Sequence, residues 1–271
     1  MNPLDTEINR FLERISLYES LNYQTKSHLI VRKKQIEKHL SDSPNSRAPF
    51  IGTSLVFGDL TGRSDNGWKI NYHSGFQNSV RRDEMLSSID KLISRNGMNY
   101  LANSYEVLES FLLDIIGQFL NSFPKYDKYL KDKNDLVDRK EFLRRYYRSK
   151  NNKDLFKLLR KLDPDFQRSE KNNNSGRNLK DWYFVVSNVR HSIVHSLFKI
   201  DSKNVIFSSD QMEILTQNFT YIRSENFIEL RMSFEECKKQ INFIAEFGFL
   251  VFKSLCILEN LDWKVLNNMH K

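Results

Sequence analysis

The sequence predicts a mainly α-helical protein with small β-hairpin insertions. Apolar residues recur every three or four positions along most of the 271 residues, which is the spacing that lines one face of a helix. Short β-forming runs between turn residues interrupt this pattern in two regions. We expect an N-terminal helical extension with a β-hairpin in residues 1–82 and a helical bundle in residues 83–271.

The N-terminal region is expected to contain helices followed by the hairpin. Between residues 4 and 40, apolar residues at helical spacing and highly charged polar faces predict one long or two shorter amphipathic helices. Residues 41–48 are typical of a loop, because aspartate, serine, proline and asparagine cluster there. The β-rich runs at 50–57 and 68–72 are separated by glycine, aspartate and asparagine, which favours a hairpin.

Helical patterning resumes after the hairpin. One helix is predicted from about residue 83 to 92 and a second, strongly amphipathic one from about 99 to 120, with a break at Asn96–Gly97. Residues 168–177 lack apolar periodicity, so we expect a mobile loop there. This loop leads into a further helix, predicted between about residues 179 and 200.

The C-terminal region predicts short β runs and a closing helix. The runs at residues 205–207, 219–222 and 227–230 allow a second hairpin. From Ser233 onward the chain is almost continuously apolar, and this serine with the two glutamates that follow suits the start of a helix. Charged residues within residues 241–258 make this stretch a poor membrane span and a good buried helix.

The positive charge is concentrated in one segment. The chain carries a net charge of +8 and has a pI near 9.3, which favours an anionic partner such as nucleic acid. Residues 121–161 contain fourteen lysines and arginines against six acids. Tyrosines between these cations could stack on unpaired RNA bases; alternatively, they pack inward and the cations are solvated. The candidate RNA-binding residues are Arg144, Arg145, Tyr146, Tyr147 and Arg148.

The composition indicates a reduced, cytoplasmic protein without a metal centre. Cys237 and Cys256 lie in an apolar segment, so neither a disulfide framework nor a zinc site is expected. The N-terminus carries acids and lacks an apolar stretch, which is unlike a signal peptide. The sequence contains no Walker loop, no H-E-x-x-H and no G-x-S-x-G motif. We therefore expect no metal, no cofactor and no membrane partner.

Residues 190–195 read Arg-His-Ser-Ile-Val-His and fall on the helix predicted at about 179–200. His191 and His195 are four residues apart and therefore share one side of that helix, and the side chain of Arg190 reaches the same surface. A permanently charged guanidinium can hold anionic oxygens, while an imidazole that titrates near neutral pH can move a proton. Phosphodiester chemistry needs both kinds of group.

This segment resembles the R-x4-6-H motif of the HEPN superfamily, small helical-bundle proteins of which many are metal-independent ribonucleases. In that family a polar residue usually follows the arginine, as His191 does here, and aliphatic residues often precede the histidine, as Ile193–Val194 do. Many HEPN domains carry an acid on an early helix that can pair with the motif arginine, and Glu109 is similar in position. Arg32 and His39 also satisfy the spacing, but they lie in a lysine-rich helix and we interpret them as coincidence.

The resemblance implies a metal-independent endoribonuclease. His195 would act as general acid or base, Arg190 would stabilise negative charge on phosphorus, and His191 would position them or touch phosphate, with Glu109 in support. The ribose 2′-hydroxyl is the nucleophile, so the expected ends are a 2′,3′-cyclic phosphate, or the phosphate from its hydrolysis, and a 5′-hydroxyl. HEPN nucleases dimerise to form a composite groove, so a homodimer is also implied.

Three functional hypotheses differ in class. The leading one is a toxin or antiviral defence effector that cleaves tRNA or mRNA and that an antitoxin or activator could control. The second is a non-catalytic HEPN-like module that binds RNA or protein, in which Arg190 and His195 have structural roles. The third is a toxin silenced by adenylylation of a tyrosine two positions beyond the motif histidine, and it is disfavoured because that position is Leu197.

Overall fold

The computed structural model confirms a mainly helical protein with small β elements. It divides into two compact units. Unit 1 comprises Met1–Gln24 and Ser94–Lys271, and unit 2 comprises Thr25–Ile93. The domain boundary expected between residues 82 and 83 stays a prediction. The structure describes residues 2–42, 50–63, 69–130, 138–148 and 153–264.

Each of the two long helices has residues in both units. Helix α1 covers Asp5–Asp42 and helix α2 covers Met85–Ser122. The N-terminal pattern therefore forms one helix rather than two. The break predicted at Asn96–Gly97 is wrong, because α2 continues through it. Gly97 serves packing instead: a Cβ at this position would lie 3.0 Å from the sulfur of Cys237, so glycine allows the C-terminal helix to approach closely.

Unit 2 contains the predicted hairpin. Strand β1 (Phe50–Arg63) pairs antiparallel with strand β2 (Lys69–Val80). Both strands are longer than the β-rich runs that predicted them. A short 3-10 helix, Arg82–Glu84, connects the hairpin to α2.

The described part of unit 2 has a small core. Its buried side chains are Met85 and Ile89. Lys33 of α1 pairs with Asp90 of α2 at 2.8 Å, and Arg82 donates a hydrogen bond to the carbonyl of Leu40 at 2.7 Å. Polar contacts therefore hold much of this unit together.

Unit 1 is a helical bundle around a large apolar core. The first half of α1 contributes Ile8, Phe11 and Ile15 to that core, and α2 contributes a stripe from Leu101 to Leu120. A 3-10 helix and six more α-helices complete the bundle: Pro124–Tyr129, α3 (Arg139–Arg148), α4 (Lys153–Leu162), α5 (Pro164–Lys171), α6 (Leu179–His195), α7 (Ser209–Asn218) and α8 (Phe234–Leu258).

The closing helix α8 begins as predicted at Ser233. The Ser233 hydroxyl accepts a hydrogen bond from the Glu236 N–H at 3.2 Å, and the Glu236 carboxylate accepts one from the Ser233 N–H at 2.6 Å. Within the described chain, α8 alone is long and apolar enough to cross a membrane, and 50% of its most apolar stretch is buried inside the structure. Its buried face forms part of the core of unit 1.

Two predictions near the C-terminal β elements are corrected. The helix predicted to reach residue 200 ends at His195, because the chain turns sharply through Leu197 and Phe198. This turn places a strand, β3 (Lys199–Asp201), beside β5 (Phe227–Leu230), whose other edge pairs with β4 (Tyr221–Arg223). Residues 205–207 are not a strand, and helix α7 was not predicted.

The loop predicted at residues 168–177 begins later than expected. Helix α5 continues to Lys171, because Asp163 caps its start and the buried Phe166 fixes it against the core. The side-chain amide of Asn173 then donates hydrogen bonds to backbone carbonyls on both sides of the turn, including that of Arg177 at 2.8 Å. The connection to α6 is therefore organised by one asparagine, which composition alone does not reveal.

Candidate active site

Helix α6 carries the candidate catalytic residues, and specific contacts fix its start. The side-chain oxygen of Asn178 accepts hydrogen bonds from the N–H groups of Lys180 and Asp181 at 3.2 and 3.4 Å, which is an N-terminal cap. The buried Trp182 donates its indole N–H to Gln240 of α8 at 3.0 Å. These contacts hold α6 in one orientation in the bundle.

The motif histidines lie on the exposed face at the C-terminal end of α6. His191 and His195 are both exposed, with ring centroids 4.8 Å apart and an interplanar angle of 48°. Their shared face agrees with the four-residue spacing in the sequence. Arg190 precedes His191 in the sequence and is partly buried. The end of α6 thus carries two neighbouring imidazoles and an arginine.

A carboxylate of α2 holds the guanidinium of Arg190. The Nη2 atom of Arg190 donates a hydrogen bond to Oε1 of Glu106, and the two side chains form an ion pair. Among the described residues the buried Nε atom has no hydrogen-bond partner, a state that costs about 1–3 kcal/mol for a buried donor. The sequence pointed to Glu109, which lies one helical turn further along α2. Both acids share a face of that helix, so spacing could not distinguish them.

Glu109 lies near a buried pair of tyrosines. The rings of Tyr105 on α2 and Tyr183 on α6 have centroids 5.2 Å apart. Burial, and after it the negative charge of Glu109, raises the pKa of Tyr183 well above its usual value. Burial likewise raises the pKa of Tyr105, which also shares hydrogen bonds with Ser187 and Tyr183. Glu109 is therefore close enough to these tyrosines for its charge to act on them.

The turn after the motif fixes where α6 ends. Leu197 and Phe198 have φ angles of 49° and 68°, a left-handed conformation that costs a non-glycine residue about 1–3 kcal/mol. The carbonyl of Ser192 accepts hydrogen bonds from the N–H groups of Ser196 and Phe198 at 3.1 and 2.9 Å. The guanidinium carbon of Arg95 lies 5.4 Å from the Phe198 ring centroid, within the range of a cation–π contact.

The candidate RNA-binding residues lie in and near α3. Arg144 donates two hydrogen bonds to one oxygen of Asp114 on α2, at 2.6 and 3.0 Å. Its charge is therefore paired with a carboxylate of the core helix. The side chains of the other four candidates lie outside the described residues: Arg145, Tyr146, Tyr147 and Arg148.

Carboxylates inside and outside the basic segment, residues 121–161, pair with several of its cations. Arg139 bonds Asp127 at 2.5 Å, Lys140 bonds Glu7 at 2.7 Å and Arg160 bonds Glu170 at 2.6 Å. The tyrosines at positions 126 and 129 pack partly buried against the core. For these side chains the inward-packing interpretation of the segment holds.

The two cysteines lie in the core of unit 1. Cys237 and Cys256 are buried and free. Burial raises the pKa of the Cys256 thiol to about 11 and also raises that of Cys237, so both are protonated near neutral pH. Within the described ranges, no three His, Cys, Asp or Glu residues cluster closely enough to hold a metal ion.

Comparison with protein-family models, with curated proteins and with solved structures finds no match to this chain. The HEPN resemblance therefore rests on residues 190–195 and their helical setting.

Proposed function

We propose that the protein is a metal-independent endoribonuclease of HEPN type, acting in the cytoplasm as a toxin or antiviral defence effector. The observation that carries this proposal is the exposed end of α6. There α6 carries the neighbouring imidazoles of His191 and His195 and the guanidinium of Arg190, which Glu106 holds. The RNA substrate is tRNA or mRNA in this proposal, and an antitoxin or activator could control the cleavage.

Each motif residue has a distinct chemical task in the proposed reaction. The 2′-oxygen attacks phosphorus, its proton passes to a base, and the bond to the 5′-oxygen breaks as that oxygen gains a proton. The exposed His195 serves as the base or the acid, and His191 positions it or contacts phosphate. Arg190 stabilises the additional negative charge on the phosphoryl oxygens. Glu109, whose charge acts on the buried tyrosines instead, has no part in these steps.

The ion pair with Glu106 suits an arginine that must bind phosphate in a fixed orientation. A guanidinium has five N–H donors, and the bond to Glu106 uses Nη2. Within the described chain Nη1 makes no hydrogen bond, so it is available to a phosphate oxygen. Charge-assisted contacts of this kind combine strength with directional specificity.

Exposed apolar side chains beside the motif support a homodimer. Val194 lies between the two motif histidines in the sequence and Leu197 follows them, and both are exposed. Burying such side chains against a second copy is favourable. A dimer would also supply a second motif helix, and with it the second group that two proton transfers require.

A non-catalytic module is the second candidate. The observation that favours it is the same Arg190–Glu106 ion pair, because an arginine that joins α6 to α2 can be retained for structure alone. The exposed histidines would then contact RNA or a protein partner without cleaving it.

The decisive test is cleavage of total RNA in EDTA by four purified proteins: wild type, Arg190→Ala, His195→Ala and the matched control Arg223→Ala, which removes an exposed arginine on β4. We expect wild type and control to produce 2′,3′-cyclic phosphate and 5′-hydroxyl ends. His195→Ala should lose activity by about 10²–10⁴-fold, the usual contribution of a general acid or base. Arg190→Ala should lose about 10²–10³-fold, the usual cost of removing one donor that stabilises transition-state charge. Expression should arrest growth, and His195→Ala should relieve the arrest.

Two outcomes would contradict the proposal. Absence of cleavage by folded, dimeric wild type would favour the non-catalytic module. Equal cleavage by all four proteins would indicate a contaminant or a site elsewhere in the chain.

A further inference from the structure

The two histidines of α6 are spaced like two ligands of one metal ion. His191 and His195 are exposed, lie four residues apart and have ring centroids 4.8 Å apart. Two imidazole nitrogens that bind one ion at about 2.0–2.1 Å place their ring centroids about 4.5–5.2 Å apart when the ligand angle is about 90–109°. The observed separation lies inside this range, and the helix itself maintains it.

The position of this pair at the C-terminal end of α6 also favours a cation. The aligned peptide dipoles place partial negative charge at that end of a helix. Among the described residues, no N–H group donates a hydrogen bond to the carbonyls of Ile193 and Val194, so these oxygens add to the negative potential. The positive charge of Arg190 is compensated by Glu106, which reduces its repulsion of a second cation.

The kind of ligand decides which ion suits the pair. Imidazole is a good ligand for Zn²⁺, Cu²⁺ and Ni²⁺, whereas Mg²⁺ and Ca²⁺ prefer oxygen ligands. Among the described residues, no third His, Cys, Asp or Glu lies close enough to complete a set of three, so water would fill the other coordination positions. With two protein ligands, the pair binds a transition-metal ion reversibly.

We infer that His191 and His195 together bind one Zn²⁺ ion and that this ion inhibits the proposed nuclease. Ligation needs the neutral imidazole and takes its free nitrogen. His195 can then neither accept a proton nor carry the additional proton that it would donate. The inhibition rests on the proposed function, whereas the binding of the ion does not. A chelator that removes Zn²⁺ restores the imidazoles that the proposed reaction needs.

Binding of the ion is tested by isothermal titration of the full chain, free of any affinity tag, with Zn²⁺ alone. The test variants are His191→Ala and His195→Ala. The matched control is His28→Ala/His39→Ala, which removes two exposed histidines of α1. These two are eleven residues apart, about 16 Å along a helix, and are therefore too far apart to share an ion.

We expect wild type and the control to bind one Zn²⁺ ion with the same affinity. Each single variant should bind it about tenfold to a hundredfold more weakly, because the second imidazole of a pair binds at a high effective concentration. His191→Cys should retain tight binding, since a thiolate also ligates Zn²⁺. Cu²⁺ should bind more tightly than Ni²⁺ or Zn²⁺, and Mg²⁺ should not bind at the pair.

Thermal unfolding gives a second measurement that does not depend on activity. A ligand that binds the folded helix end stabilises it, so Zn²⁺ at ten times its dissociation constant should raise the melting temperature of wild type by about 3–6 °C. The same concentration should not raise that of His191→Ala. Without metal, the variants should melt like wild type, because both histidines are exposed.

Inhibition is tested on the same preparations by cleavage of RNA in EDTA, in Zn²⁺ and in Mg²⁺. Zn²⁺ at ten times its dissociation constant should lower the activity of wild type by about tenfold, because the ion then occupies most of the chains. Mg²⁺ should leave that activity unchanged. Any residual activity of His191→Ala should be insensitive to Zn²⁺ at the same concentration.

Three results would overturn the inference: no binding of Zn²⁺ by wild type, the same affinity in wild type and the single variants, or an equal loss in the control. An active nuclease that saturating Zn²⁺ does not inhibit would overturn the inhibitory role. Zn²⁺ binding that depends on both histidines, without cleavage under any condition, would support the ion site and contradict the proposed nuclease. Cleavage that depends on His195, without Zn²⁺ binding, would do the reverse.

Discussion

The two halves of α1 use the same apolar spacing for different purposes. In unit 1, Phe11 stacks on Phe111 with centroids 4.2 Å apart and closes over Gly248, where any Cβ would clash with its ring. In unit 2, Ile30 and Val31 of the same helix are exposed. Helical periodicity therefore predicts the helix, but burial depends on what faces it. The first half stabilises a core, and the second half presents a surface.

The two units also differ in how many of their cations are paired with carboxylates. In unit 1, Arg190, Arg144 and Arg160 each pair with a carboxylate from another helix. In unit 2, Lys33 of α1 pairs with Asp90, whereas the exposed Arg32, Lys34 and Lys38 have no ion pair in the described chain. The sequence located the excess charge in residues 121–161. Folding pairs several of its cations with acids from outside the segment, such as Lys140 with Glu7 and Arg144 with Asp114.

The largest expected effect concerns the most buried of these ion pairs. Glu170 on α5, whose side chain is 1% exposed, accepts two hydrogen bonds from Arg160 at 2.6 and 2.8 Å. Glu170→Ala should lower the free energy of unfolding by about 3–5 kcal/mol, because it leaves a half-buried arginine unpaired. Asp90→Ala, which breaks the exposed pair with Lys33 in unit 2, should cost less than about 1 kcal/mol. Urea denaturation of both variants measures the difference.

Similar losses in these two variants would show that unit 2 depends on its ion pair as strongly as unit 1 does. Unit 1 would then not differ from unit 2 in how strongly its stability depends on buried contacts. Arg160→Gln serves as the reciprocal variant, since removing either partner of one buried pair should destabilise the same unit.

The next effect compares two isoleucines on α1. Ile15 is 4% exposed and lies in the core of unit 1, whereas Ile30 is 37% exposed in unit 2. Ile15→Ala should cost about 2–5 kcal/mol, since it removes buried methylene groups and leaves a cavity. Ile30→Ala should change stability by less than about 1 kcal/mol. Thermal or urea unfolding tests the pair, and an equal cost would mean that Ile30 is buried in solution.

The sequence predicted the elements better than their partners. The helix with the motif, the face shared by His191 and His195, and the cap at Ser233 all follow from local spacing and local hydrogen bonds. Gly97 was misinterpreted, because the pattern suggests a break while the close approach of Cys237 is a property of the fold.

The sequence predicted the part of the candidate site that lies on α6. Arg190 could be assigned to the motif, but its partner depends on how α2 is rotated against α6. Glu106 and Glu109 satisfy the same spacing, and packing places Glu106 at the guanidinium and Glu109 near the buried tyrosines. The left-handed turn at Leu197–Phe198 gives no compositional clue, because neither position is glycine.

A smaller effect tests whether the carboxylate that pairs with Arg190 serves to position it. Glu106→Ala should lower kcat for RNA cleavage by about tenfold or more, because a hydrogen bond to a charged group contributes about 1.5–3 kcal/mol. Glu106→Gln keeps an acceptor for Nη2, so it should retain kcat and lower KM as the site becomes more positive. The matched variant Glu109→Gln should leave both constants near those of wild type. Equal kcat losses in Glu106→Gln and Glu106→Ala would show that the charge itself, not the orientation, is required.

The smallest expected effect is a loss of stability at low pH, and it should be confined to unit 1. Burial acts to raise the pKa of Glu236, but hydrogen bonds from the Ser233 N–H and the Thr220 hydroxyl lower it below the usual value of 4.5. A carboxyl with a lowered folded-state pKa stabilises the fold fully above its unfolded pKa and loses that contribution as pH falls through the folded value. The stability difference between wild type and Glu236→Gln should therefore be largest near neutral pH and shrink below about pH 4.5. Thr220→Val should reduce this pH dependence.

Hydrogen exchange should show the acid-induced opening at the start of α8 and not in the hairpin of unit 2. Opening that begins in the hairpin would contradict the assignment of the acid sensitivity to the Ser233–Glu236 cap.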